Sequence, residues 1–169
     1  MRYSLLTNIA TLGLVGRIKK APGTAGSFLA VLCAPLCFLP FSLPIRLLIL
    51  SVLFLIGIKA SEQAEKELKE KDPSSVIIDE VVGQWLTLLP VNALSYFNSQ
   101  TITPQDWFVL MIGFLFFRIF DIGKIGPVGL CERKLQGGLG IMADDVMAGF
   151  LAALLMYPLQ FYGNLIFGY

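Results

Sequence analysis

Between residues 27 and 58 the chain carries one charged side chain, Arg46. An apolar run of that length has few homes. It breaks at Pro40-Phe41-Ser42-Leu43-Pro44, which predicts two short apolar helices joined by a tight turn. Three more apolar helices are predicted over roughly 80–97, 107–122 and 146–167. Most fall short of the roughly 20 residues expected of a full membrane span, so thin spans and a partly penetrating first hairpin both fit. Of all residues 56% are apolar and 15% charged, with a mean hydropathy of +0.73. Soluble domains average about 45–50% and about 25%. One soluble core could not hide so much apolar surface, so lipid must be part of the solvent. The expected fold is all-α: one integral membrane domain over residues 1–169, a bundle of four to five short hydrophobic helices.

The polar segments give this bundle a direction. Residues 59–72 are strongly charged, with Glu62–Lys66, Glu65–Lys69 and Glu67–Lys71 spaced as favourable i,i+4 pairs, and predict a solvated helical extension. Residues 3–16 are uncharged, with Leu5, Leu6, Ile9 and Leu12 near helical spacing, but Arg17, Lys19 and Lys20 follow where a signal peptide would place a small-residue cleavage site. An interfacial N-terminal segment lying on the membrane is expected instead. Of the 13 Lys and Arg residues, all but Arg46 fall on one side of the predicted helices, which places those loops in the cytoplasm and, with five spans, the C-terminus outside.

Several chemistries are excluded early. A net charge of +1 without a basic stripe argues against a nucleic-acid partner. Three cysteines provide neither a disulfide framework nor zinc-ligand spacing, and Cys33 and Cys37 read as small apolar residues. The chain has no histidine, so any acid–base or metal chemistry must rest on carboxylates, hydroxyls or water.

The carboxylates are placed unusually. Asp79 and Glu80 open the third predicted helix, Asp121 closes the fourth, and Asp144 and Asp145 open the fifth. The topology brings all five to the cytoplasmic face. A carboxylate at mid-bilayer costs roughly 2.5–3.5 kcal/mol on insertion scales. Two like charges 4 Å apart repel by roughly 4 kcal/mol at an effective dielectric near 20. A hard divalent cation with oxygen ligands, Mg²⁺ above all, would hold such a cluster together. Helix capping alone explains Asp79 or Asp144 singly, but not two adjacent pairs, nor Asp121 at a helix C-terminus. Gly83 and Gly149 lie one turn beyond Asp79 and Asp145, so a close helix crossing there would join the two acid pairs.

Phosphate-binding features surround these acids. Pro22-Gly23-Thr24-Ala25-Gly26-Ser27 precedes the first apolar helix, where Thr24 or Ser27 could cap it and the glycines leave N–H groups open to an anion. Lys19 and Lys20 would attract anionic headgroups. Arg118 and Lys124 each lie three residues from Asp121, within reach of it or of a phosphate. Gly137-Gly138-Leu139-Gly140 reads as a loop that lets backbone approach a ligand.

Together, Lys20-Ala-Pro-Gly-Thr-Ala-Gly-Ser27, Ile78-Asp-Glu-Val-Val-Gly83, Phe117-Arg-Ile-Phe-Asp121 and Gly137-Gly-Leu-Gly-Ile-Met-Ala-Asp-Asp-Val-Met-Ala-Gly149 resemble the phosphatidylglycerophosphatase A family in order and spacing over nearly the whole chain. The resemblance implies a Mg²⁺-dependent phosphatase of the bacterial inner membrane that converts the phospholipid phosphatidylglycerophosphate to phosphatidylglycerol. It implies that Asp79, Glu80, Asp121, Asp144 and Asp145 form the metal and catalytic centre. Thr24, Gly26, Ser27, Arg118 and Lys124 would contact the phosphate. Arg133, in the retained step Glu132-Arg133, would join them in binding substrate. Where the family reads Lys-Pro-Trp-Pro, this chain has Lys124-Ile125-Gly126-Pro127, a looser loop. The expected chemistry is direct attack by water, with Asp79 or Asp144 taking the proton. Cys131 has no arginine six residues on, which argues against a cysteine phosphatase. Two alternatives share the membrane acids. A CDP-alcohol phosphatidyltransferase would show Asp-Gly-x-x-Ala-Arg, missing here, and a divalent-cation transporter would line a path across the membrane.

Overall fold

The computed structural model describes residues 3–91 and 102–167, among which there are seven α-helices and no strand. The helices are α1 (Leu5–Ala10), α2 (Pro22–Cys37), α3 (Leu43–Leu68), α4 (Ile78–Thr87), α5 (Pro104–Gly123), α6 (Pro127–Lys134) and α7 (Gly137–Phe167). A 3₁₀ turn, Val15–Arg17, lies between α1 and α2.

Local chemistry sets the boundaries. Prolines stand in the first turn of α2, α3, α5 and α6, where the missing N–H costs no hydrogen bond. Thr103 and Asp106 close a capping box on α5. Lys69 and Lys124 end α3 and α5 in the left-handed conformation, at φ 55° and 46°.

The expected turn at residues 40–44 separates α2 from α3, and the charged stretch continues α3 as a solvated extension, with Lys66 and Glu62 paired at 2.8 Å. The Glu67–Lys71 pair is lost because α3 stops at Leu68. Glu67 instead accepts hydrogen bonds from Thr7 Oγ1 (2.7 Å), Ser4 N (3.2 Å) and Gln63 Nε2 (2.8 Å), which ties α1 to α3. The third helix ends early, at Thr87, and residues 92–97 of its predicted range lie outside the described residues. The last helix begins at Gly137, not at 146, so the expected glycine loop is helical. A Cβ at Gly138 would collide with the Ile58 carbonyl. Packing of Gly138 on α3 thus overrides the poor helix propensity of glycine, while Gly137 and Gly140 border a cavity beside Asp144.

The centre of the bundle is α4, which packs against α7, α2, α3 and α5, while α7 also contacts α3, α5 and α6. Each crossing reverses direction, so the start of α2, the end of α3, the start of α4, the end of α5 and the start of α7 share one end. At the other end Arg46 joins the turns after α2 and α4.

Two helices, α3 and the Gly137–Leu159 part of α7, are long and apolar enough to cross a membrane, and α2 is a shorter apolar helix. In its most apolar stretch α3 is only 22% buried, and it turns Leu48, Val52, Leu55 and Ile56 outward. Phe108, Leu115 and Ile119 of α5 and Phe150 and Leu154 of α7 are exposed too. By contrast, α4 is buried almost throughout but is only about 15 Å long.

Candidate active site

The acid end begins with two backbone contacts. Ile77 N donates to the Ala10 carbonyl (2.9 Å), and a Cβ at Gly26 would lie 2.9 Å from Ile77 Cβ. These contacts seat the first turn of α4, with Asp79 and Glu80, against α2. On the other flank α4 crosses α7 backbone to backbone. A Cβ at Gly149 would strike the Gly83 carbonyl, and one at Gly83 would stand 2.6 Å from both the Asp145 carbonyl and the Phe117 ring. Thr87 Oγ1 spans the crossing, donating to the Gly83 (3.0 Å) and Gly149 (3.4 Å) carbonyls. The close approach expected from the two glycines is present, and it brings the acid pairs together.

The five acids then divide. Asp79, Glu80 and Asp145 each offer a carboxylate oxygen within 4.8 Å of the others. Asp79 Oδ1, Glu80 Oε2 and Asp145 Oδ2 are buried without a hydrogen-bond partner. Asp121 and Asp144 are paired with cations instead. Arg118 Nη1 lies 2.5 Å from Asp121, Lys124 bonds to Asp144, and Lys124 Nζ is 3.9 Å from Asp121. Burial alone would lower the pKa of the Lys124 ammonium. The hydrogen bond and charge of Asp144, with Asp145 and Asp121 behind, outweigh burial and hold it above its ordinary value.

An anion would meet a different set of groups. Arg118 also donates to Ser27 Oγ (3.3 Å) and Thr24 Oγ1 (3.4 Å), and the Gly23 backbone lies directly against the Glu80 carboxylate. Neither Thr24 nor Ser27 caps α2, because Pro22 starts the helix earlier and Ser27 Oγ donates to the Gly23 carbonyl (2.9 Å). Gly26 faces Ile77, so it sets the spacing of α2 from α4. Arg133 is exposed at the end of α6 and pairs with none of the five acids; its guanidinium lies beside Gly129, which packs on the Lys124 backbone. A cavity of about 190 Å³ borders Asp144, lined also by Glu65, Lys71, Asp72, Leu135, Gln136 and Ile141.

Buried Asp79 and Asp145 with half-buried Glu80 at this spacing suit a hard divalent cation, since each has a buried oxygen without a hydrogen-bond partner. Sequence reasoning placed Gly23 in an anion-binding stretch but did not foresee its contact with Glu80, and it missed Gln84, a buried amide one turn beyond Glu80. The signal for Gln84 was available: it is a polar residue inside an apolar helix.

The family profile for phosphatidylglycerophosphatase A matches residues 8–160. Phosphatidylglycerophosphatase A of Escherichia coli is 36% identical over 138 residues, covering 80% of this chain and 72% of its own. The Haemophilus influenzae protein of the same name is 29% identical over 164 residues, covering 95% and 94%. A Bacteroides thetaiotaomicron protein with the provisional name phosphatidylinositol-3-phosphatase is 41% identical over 146 residues, covering 80% and 81%. No solved structure matches the chain.

Proposed function

The chain belongs to the phosphatidylglycerophosphatase A family and is a phosphatase; from that premise we propose that it hydrolyses phosphatidylglycerophosphate to phosphatidylglycerol and phosphate, using Mg²⁺. The observation that carries this reading is the pairing of three unpartnered carboxylates with an arginine that already holds two hydroxyls.

In this reading Asp79, Glu80 and Asp145 hold the cation. When bound, it would neutralise charge on the phosphate and polarise the phosphorus for attack. Arg118, Thr24 and Ser27 grip the phosphate oxygens, the guanidinium providing the planar donor fork suited to them. Asp121 keeps Arg118 in place. Water enters through the cavity beside Asp144 and attacks phosphorus. Asp144 takes the water's proton and later returns it to solvent, while the phosphorus–oxygen bond to the glycerol breaks and the leaving oxygen takes a proton from solvent water. Lys124 balances the charge on Asp144 and Asp121.

The same reading places the chain as a multi-pass protein of the bacterial inner membrane. The outward apolar side chains of α2, α3, α5 and α7 face lipid. The cation-bearing segments lie at the acid end, which the positive-inside rule puts in the cytoplasm. Exposed Leu14 and Ile18, flanked by Arg17, Lys19 and Lys20, rest at the headgroup level. All five acids gather at one end of the bundle, which fits catalysis on a headgroup better than a transport path.

The decisive experiment incubates purified protein with phosphatidylglycerophosphate and, separately, with phosphatidylinositol 3-phosphate, and measures phosphate released. Release from the first, abolished by EDTA and restored by Mg²⁺, is expected. Preference for the inositol lipid would overturn the substrate, and activity in EDTA would overturn the metal.

A further inference from the structure

We propose that Gln84 is a positioning residue for Glu80, acting through a bridging water. The inference rests on the reading of Asp79, Glu80 and Asp145 as a divalent-cation site. Gln84 is 0% exposed, and neither its amide oxygen nor its amide nitrogen has a hydrogen-bond partner. It stands four residues after Glu80 on α4, and residues so spaced share a helix face. Glu80 Oε2, one turn above, is also buried and unpartnered.

A buried amide with no partner is costly, and an apolar side chain of the same length would fill the space without that cost. Thr87, three residues on in the same helix, shows how a polar side chain is normally accommodated: its hydroxyl reaches two backbone carbonyls. Gln84 has no such outlet. Two polar groups one helical turn apart, both buried and not in direct contact, suit one water, which needs two to four polar partners. Arg118 Nε is also buried and unpartnered, and the Nη1 of the same guanidinium shares the Gly23 surface with the Glu80 carboxylate, which offers a third partner. The amide nitrogen then donates to the water, and the water donates to Glu80 Oε2. That hydrogen bond fixes the orientation of the Glu80 carboxylate, whose Oε2 keeps a second lone pair for the cation. Partners of this kind behind a metal ligand typically alter metal affinity by about 10–100-fold.

The test titrates the purified full-length protein with Mn²⁺ and follows binding by electron paramagnetic resonance. Wild type, Gln84→Met, Gln84→Asn and Asp145→Asn are compared, and each is melted in EDTA. We expect Gln84→Met to weaken Mn²⁺ binding about tenfold, with a melting temperature in EDTA equal to or above that of wild type. Gln84→Asn, which keeps the amide one methylene shorter, should fall between. Wild-type Mn²⁺ affinity in both variants, or a lowered melting temperature with affinity unchanged, would overturn the role of Gln84. Wild type that binds no Mn²⁺, or Asp145→Asn that binds it as well as wild type, would overturn the cation site itself and the inference with it.

Discussion

At one end of the bundle Arg46 donates to the carbonyls of Phe41 (2.8 Å), Leu39 (2.5 Å) and Val91 (2.6 Å), and lies 5.7 Å from the centre of the Phe38 ring. At the other end the carboxylates of buried Asp79 and Asp145 and half-buried Glu80 face one another, each with a buried oxygen that has no hydrogen-bond partner. Both ends hide charge, yet only the first closes on itself. The Arg46 guanidinium ties together chain turns whose carbonyls have left their helices, so it is a structural clasp. The acids repel, and like charges are held together when a further positive partner is expected. A buried charge with its partners already present maintains the fold, whereas one without them points to a ligand.

Asp145→Asn and Asp144→Asn give the sharpest test of this contrast. Each should lower turnover by at least about a hundredfold while the far-UV spectrum and the melting temperature show a folded protein. Near-normal turnover in both would end the distinction between the two ends. Gly149→Ala should do a little of both kinds of damage. Its methyl must push α7 away from the Gly83 carbonyl, which costs roughly 1–3 kcal/mol of stability and about tenfold in turnover through the displaced Asp145. A variant as stable and active as wild type would show that the crossing does not set the acid spacing.

Arg46→Met should act only on the fold. Unfolding should become easier by roughly 2–4 kcal/mol, because several carbonyls lose their donor, while turnover per folded molecule stays within about twofold, an effect of about 0.4 kcal/mol on the barrier. A large loss of turnover in the folded fraction would mean that the clasp reaches the chemistry. The smallest effect belongs to Cys131→Ser on α6, where turnover should change by less than about twofold because no step uses a thiolate. Inactivation of wild type by a thiol reagent, blocked by substrate and absent in the serine variant, would contradict that.

Much of this arrangement was legible in the chain. The apolar runs, the Pro40–Pro44 break and the spacing from Asp79 to Gly83 and from Asp145 to Gly149 all act locally, and local chemistry is what a sequence displays. Helix ends were read less well. Gly137 to Gly140 looked like a loop because glycine disfavours helix, and only the fit of Gly138 against Ile58 reverses that. The division of the five acids was not legible either. Asp121 lies three residues from both Arg118 and Lys124, but the bond from Lys124 to Asp144 joins positions twenty residues apart, a distance set by how α5, α6 and α7 fold back. Arg133, which the resemblance assigned to the substrate, is exposed on α6 and pairs with none of the five acids.

On the proposed reading of the acid cluster as a cation site, the crossing of Gly83 and Gly149 bears on which ions would fit it. Where side chains separate two helices, the gap can be tuned in steps as small as a methylene. Here main chain rests on main chain, so the aperture between Asp79 and Asp145 is a gauge cut to backbone dimensions. It has no narrower setting, and its next wider setting is a whole methyl group. An ion with small, strict octahedral demands suits such a gauge. On that reading calcium, which needs more oxygens at longer reach, would have to part the two helices to enter, and the preference for a small ion would come from the backbone contact of Gly83 and Gly149.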